Sequence, residues 1–208
     1  DDICVTNTNR QIHALSNSVG DVKVEAMAQR LRLINPQMQV TAVMDFITMN
    51  NITEHLQDMD FVVDAIDSVK IKAAIVAWCN RRKTPMVMIG GAGGQTDPTR
   101  ITVGDLNKTY NDPLARKVRS ILRREYGFSR NEKRNYGVPC VYSTEQLIYP
   151  QPDGSVCQQK QFIDGTVKLD CSGGIGASTM VTASFGMVAA ARVAEKMAKQ
   201  ANAAQAAE

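Results

Sequence analysis

No glycine-rich phosphate loop precedes Asn7, no two of the cysteines form a C-x-x-C pair, and no charge-free run reaches a full membrane span. Each absence excludes something. The five thiols, Cys4, Cys79, Cys140, Cys157 and Cys171, are odd in number and widely spaced. They build neither a paired-cysteine zinc site nor a disulfide scaffold. Such usage fits a reducing cytoplasm, and the first residues do not read as a secretory signal. The uncharged stretch 175–191 is too short to span a bilayer and contains Ser178, Thr179, Thr182 and Ser184. It reads as a buried helix or a subunit interface. Aromatic residues make up 5% of the chain while methionines number 10, which favours adaptable packing over a stacking platform. No internal repeat is present.

What is present is an alternation of apolar strands and amphipathic helices. Residues 22–34 carry Val24, Met27, Ala28 and Leu31 at helical spacing, and Asn35-Pro36 stops them. Residues 39–44 read as a short strand, and 51–57 as a short helix with Asn50 or Asn51 at its start. Phe61-Val62-Val63 reads as a buried strand with Asp64 and Asp67 at its carboxyl end. A helix over 69–82 follows, then a strand over 85–89 that runs into Gly90-Gly91-Ala92-Gly93-Gly94. Beyond Gly94 the pattern predicts a strand over 100–103, a helix over 113–124 and a mobile polar loop over 127–137. A strand over 146–149, a turn at Pro152-Asp153-Gly154 and a last helix over 177–203 complete it. The residues from Ala201 read as frayed helix or tail. The fold expected is a Rossmann-like, doubly wound, mostly parallel α/β sheet with helices on both faces. Ligands in such sheets lie beyond the carboxyl ends of the strands, here at the turn from Asp64 to Asp67.

Charge is unevenly spread. The stretch 116–134 holds Arg116, Lys117, Arg119, Arg123, Arg124, Arg130, Lys133 and Arg134 against Glu125 and Glu132. That is more positive charge than the whole chain's net +3, so the remainder is mildly acidic. The patch suits a polyanion such as a nucleic acid, or else is a solvated helix face.

A relay of polar residues suits a nucleotide triphosphate. Arg10 offers a multi-donor fork for phosphate oxygens. Lys23 offers a compact charge near a helix start, where anions are favoured. Asn7 can donate to phosphate, and Asp67 can hold magnesium, a hard cation that prefers oxygen ligands. Taken singly, Arg10 and Lys23 also read as surface charges and Asp64 as a turn cap.

Asn7-Thr8-Asn9-Arg10-Gln11, then Gly20 to Lys23, then Asp64-Ala65-Ile66-Asp67-Ser68 resembles the superfamily of ubiquitin-activating-type adenylating enzymes. The stretch from Gly90 to Pro98, the segment Val141-Tyr142-Ser143-Thr144-Glu145 and the run from Asp170 to Gly176 are similar to its tRNA threonylcarbamoyladenosine dehydratase branch. The resemblance covers nearly the whole chain. It implies that ATP activates the threonyl carboxylate of a modified adenosine in tRNA as an acyl-adenylate, and that a neighbouring urea-type group closes a ring. By motif match, Asn7 and Arg10 contact the ATP phosphates, Lys23 sits at the phosphate where substitution occurs, and Asp67 binds magnesium while Asp64 supports the turn. A monovalent cation and a homodimer are further expectations. The family's phosphate loop and its ribose-binding acidic residue lie upstream of Asp1, so the first βα unit is expected to be missing from this chain. One adenylating domain over 1–208 is expected, with a nucleotide-binding part over 1–94 and a substrate and dimer part over 95–208.

Three other readings stand beside this one. A sulfur-relay or carrier-protein activator partnered with a cysteine desulfurase would use Cys171 or Cys140 as its thiol. A binding fragment would use Arg116, Lys117, Arg119, Arg123, Arg124 and Arg130 to hold tRNA without consuming ATP. An NAD oxidoreductase fits the charged relay less well, because no G-x-G-x-x-G opens the chain. His13, after the phosphate-contact segment, could assist there, whereas His55 reads as a surface residue.

Overall fold

A computed structural model describes residues 1–151, 153–158 and 175–205. The chain divides into two compact units, Asp1–Ile47 and Thr48–Glu208. The expected division between 94 and 95 falls inside the second.

In the first unit, residues 1–3 run alongside 20–23. Ile3 N–H donates to Asp21 O at 2.9 Å, Gly20 N–H to Ile3 O at 2.9 Å and Lys23 N–H to Asp1 O at 3.0 Å. Helix α1 follows at Lys23–Ile34, with Glu25 in its first turn and Arg32 in its last, matching the signs of the helix dipole. It ends at Asn35, whose φ of −135° and ψ of 99° are the extended angles that a following proline imposes. The strand expected over 39–44 does not form. An extended segment becomes a strand only by sharing a hydrogen-bond ladder, and among the described residues nothing pairs with it. Val43 and Met44 stay 45% and 65% exposed.

The second unit is built on a four-stranded sheet of order β1-β2-β4-β3. The strands are β1 Val62–Asp64, β2 Met86–Ile89, β3 Ile101–Asp105 and β4 Pro139–Ser143. β1, β2 and β4 are parallel, and β3 lies antiparallel on the β4 edge. Helix α2 spans Ile52–Leu56, α3 Val69–Arg82, α4 Pro113–Glu125 and α5 Thr179–Gln205. Val181, Phe185 and Ala189 of α5 pack on Val87 and Val141, with Ile101 and Val103 alongside. Strand side chains alternate between faces. Met86 and Met88, both buried, therefore point to the opposite face, where α3 packs on β1 and β2 and also against α4. The sheet is mostly parallel and flanked by helices, as the alternation predicts. Among the described residues no helix is long and apolar enough to cross a membrane.

Two expectations need correction. The strand after Gly137 is β4, at the centre of the sheet. The expected strand over 146–149 is only the start of a small hairpin, β5 Tyr149–Pro150 with β6 Val156–Cys157. Pro139 obscures β4 in the sequence, but a proline is tolerated as the first residue of a strand. The loop 127–137 is pinned rather than mobile. Tyr136 is buried, its hydroxyl donates to Ser129 O at 2.7 Å, and its ring meets Phe128 edge-on at 4.9 Å between centroids. The Asp105 carboxylate accepts the N–H groups of Tyr136 and Gly137 at 2.9 and 2.7 Å. Of the two readings of the end from Ala201, helix or tail, residues 201–205 are helical.

Candidate functional site

The carboxyl ends of the three parallel strands carry the polar groups of the second unit. β1 ends on Asp64, whose side chain is fully buried beside the equally buried Lys72 of α3. Lys72 Nζ donates to Asp64 Oδ1 at 2.9 Å, to Asp64 O at 3.0 Å and to Ile66 O at 2.9 Å. An ammonium out of water needs such a set of oxygens. Burial raises the Asp64 carboxyl above its usual range, and the attraction of Lys72 opposes this. Asp64 Oδ1 also accepts from Ile66 N–H at 3.3 Å. Its carboxylate is turned toward α3, while Asp67, three residues later, is exposed. Sequence reading overlooks Lys72. The signal available was a lysine on the stripe Val69, Lys72, Ala73 and Val76, which spacing assigns to the interior.

β2 ends in the glycine run, and a second carboxylate locks it. Asp112 is 3% exposed and caps α4, accepting from Ala115 N–H at 2.9 Å. Its other oxygen accepts from Gly91 N–H at 3.0 Å. Burial raises its carboxyl above the usual range, against the N–H donors of Ala115, Gly91 and Leu114. A methyl group on Gly90 would come within 2.0 Å of Asp112 Oδ2, so the absence of a side chain there is what admits the carboxylate. Further along, Gln95 Nε2 donates to Gly91 O at 3.0 Å. Glu145 accepts from Thr96 N–H at 3.0 Å and from Asp97 N–H at 3.0 Å. The glycine-rich stretch and the Val141 to Glu145 segment are therefore two halves of one hydrogen-bonded corner.

In the first unit, Asn7 is buried and its Oδ1 accepts from Cys4 N–H at 3.1 Å. Arg10 donates from Nη1 to Thr6 O at 2.8 Å and to Asn9 Oδ1 at 3.0 Å. Lys23, the first residue of α1, pairs with Asp1 at 2.5 Å. Burial and, to a lesser degree, Lys23 push the His13 imidazole down. Asn7 and Arg10 thus share one turn, with Asn7 shaping its backbone and Arg10 lying along it.

The basic stretch splits by orientation. Arg116, Lys117, Arg124 and Arg130 are exposed. Arg119 and Arg123 turn inward. Arg119 donates to Leu106 O at 3.3 Å and to the Thr109 hydroxyl. Arg123 donates to the Tyr136 hydroxyl at 3.0 Å and to Asn107 Oδ1 at 2.9 Å. These two fasten the loops around 105–109 and 127–137, a task that charge counting along the sequence does not reveal.

Two cavities open on the second unit. One of about 340 Å³ is lined by Arg116, Arg119, Gln146, Tyr149 and Gln158 together with the start of α4. It lies beyond the carboxyl ends of β2 and β4. A larger one of about 420 Å³ lies at the amino ends of the same strands, beside Pro85 and Pro139, with Lys83 and Lys196 among its lining. Of the thiol candidates, Cys140 lines neither cavity: it sits fully buried in β4, burial pushes its thiol far up, and a buried protonated thiol is a poor nucleophile. Cys171 lies outside the described residues.

The chain is 54% identical over 198 residues to the tRNA threonylcarbamoyladenosine dehydratase of Escherichia coli, covering 95% of this chain and 74% of that protein. The crystal structure of that bacterium's enzyme in complex with AMP superposes with a TM-score of 0.84 at 49% identity, over 97% of this chain and 74% of the other. Its complex with ATP gives a TM-score of 0.83 at 48% identity, with the same coverage of 97% and 74%. Residues 1–206 match the ThiF family along the length that carries the Asn7 turn, the Asp64–Lys72 pair and the glycine corner, and the chain belongs to that family.

Proposed function

We propose that the protein is an ATP-dependent tRNA threonylcarbamoyladenosine dehydratase that works by adenylation. The observation that carries this is the 54% identity to the Escherichia coli dehydratase over 74% of that protein's length. The solved complexes of that enzyme with ATP and with AMP fit the same chemistry.

In this reading the threonyl carboxylate of the modified adenosine attacks the α-phosphorus of ATP and expels pyrophosphate. The urea-type group of the same nucleoside then attacks the activated carbonyl, loses its proton and expels AMP. The nucleoside has lost the elements of one water. A carboxylate resists nucleophiles until its oxygen becomes a good leaving group, and holding both partners in one frame supplies the proximity. Arg10, Lys23 and Asn7 hold the phosphates, and the positive charge of Arg10 and Lys23 stabilises the transition state. Lys72 and Asp64 fix the turn that presents Asp67.

Among the described residues no three His, Cys, Asp or Glu side chains gather as a metal-ion site. That fits magnesium, which takes one or two carboxylates and completes its shell with water and phosphate oxygens. Asp67 would hold it, and the ion would supply charge neutralisation at the phosphates. The exposed Arg116, Lys117, Arg124 and Arg130 are the tRNA contacts in this reading. A homodimer in the cytoplasm completes it. The sulfur-relay alternative is not favoured, because the described thiol candidate Cys140 is buried.

The test is nucleoside mass spectrometry after incubation with ATP, magnesium and tRNA bearing threonylcarbamoyladenosine. The expected result is ATP-dependent loss of one water, abolished by Arg10→Ala and by Asp67→Asn. An unchanged nucleoside with the wild-type protein would overturn the assignment.

A further inference from the structure

We propose that the cavity beyond the carboxyl ends of β2 and β4 receives one unstacked nucleotide of the RNA substrate. This rests on the dehydratase reading and deepens it. The cavity, about 340 Å³, falls within the range of roughly 300–1,000 Å³ typical of small-ligand pockets. Its lining divides by chemistry. Arg116 and Arg119, one turn apart on α4, bring two guanidinium groups to one wall. Arg119 is held in place through Leu106 O, whereas Arg116 is exposed and forms no ion pair among the described residues. A guanidinium fork matches a phosphodiester oxygen pair. The other wall comes from the hairpin region, with Gln146, Tyr149 and Gln158. An aromatic ring and primary amides are the groups that stack on a splayed base and bond its edge in single-stranded RNA.

The Asp112 carboxylate on the floor does not oppose an anion. Its oxygens accept the Gly91 and Ala115 N–H groups, so they face the glycine corner and the helix start. The cavity lies at the same end of the sheet as the turn from Asp64 to Asp67, which is the end where open α/β sheets bind ligands. The larger cavity at the amino ends of β2 and β4 lacks that relationship. A nucleotide held here would anchor the RNA beside the reacting one, without itself taking part in the chemistry.

The experiment measures binding of an anticodon stem-loop carrying threonylcarbamoyladenosine to the full-length protein by fluorescence anisotropy across a salt series. Arg116→Gln should reduce the slope of log affinity against log salt by about one phosphate contact. Tyr149→Ala should weaken binding by roughly tenfold or more, the effect of losing one stacked base, and Tyr149→Phe should restore it. Unfolding midpoints check that each variant folds. If Tyr149→Ala does not, the exposed Gln146→Ala and Gln158→Ala carry the test, each expected to weaken binding. Folded variants that bind like the wild type overturn the proposal, as does a wild type that binds no stem-loop. A wild type that dehydrates the nucleoside while the variants bind normally removes the pocket alone. A wild type that binds through the pocket but leaves the nucleoside unchanged removes the dehydratase reading instead.

Discussion

Lys72 Nζ and Asp64 Oδ1 meet at 2.9 Å with both side chains completely excluded from solvent. The lysine also takes two backbone carbonyls of the turn, so it ties α3 to the end of β1. Removing one partner strands the other. Lys72→Met should destabilise the protein by roughly 3–5 kcal/mol, the usual penalty for an uncompensated buried charge. Urea unfolding checks this. The double variant Lys72→Met with Asp64→Asn should recover part of the loss, and a Lys72→Met protein of wild-type stability would remove the argument.

Asp112 gives a pH signature. Burial holds its carboxyl above the ordinary aspartate value of 3.8 in the folded chain. A raised carboxyl binds protons more tightly in the folded chain, so its contribution is fully present below 3.8 and is lost as pH rises through the folded pKa. Measured against Asp112→Asn, the wild type should therefore gain stability as pH falls toward 3.8 and lose it toward neutrality. Paired unfolding curves over that range check the sign. The opposite trend would mean that the N–H donors outweigh burial.

Gly90→Ala tests the same corner from the other side. A methyl 2.0 Å from Asp112 Oδ2 and 3.1 Å from Val141 O cannot be accommodated without displacing the carboxylate or the central strand. The expected loss is about 1–3 kcal/mol, in the range of overpacked cores. Thermal unfolding measures it.

The two classes of arginine on α4 should behave differently. Arg123→Gln loses bonds to the Tyr136 hydroxyl and Asn107, so it should lower stability by about 1–3 kcal/mol. Lys117→Gln, at an exposed position, should leave stability within about 0.5 kcal/mol and lower only the salt dependence of RNA binding. Unfolding and binding measured on the same samples separate the two effects.

Cys140 should be inert. Its thiol is buried and protonated, so iodoacetamide should leave it unmodified in the folded protein and label it after unfolding. Cys140→Ala should keep dehydration activity while losing some stability to the space it leaves. Peptide mass spectrometry of native and unfolded samples reads out the first, and the nucleoside assay the second.

Local sequence determined much of this protein. The helical spacing of 23–34, 69–82 and 113–125 and the apolar runs before Asp64 and Gly90 are properties of neighbouring residues, and α1, α3, α4, β1 and β2 form where those patterns lie. The placement of Asp64 and Asp67 at a strand's carboxyl end was legible for the same reason. What only the tertiary structure decided are relations between distant residues. The extended segment 39–44 is no strand because strands need partners, whereas β4 becomes the central strand because β2 and β3 flank it. Arg123 looks like a surface charge until folding supplies its partners, and the spacing that puts Lys72 on an interior stripe does not name the oxygens that hold it there. Asp112 becomes the lock of the glycine corner only when α4 is brought to β2, because a hydrogen bond spanning 21 residues is written in the packing and not in the spacing.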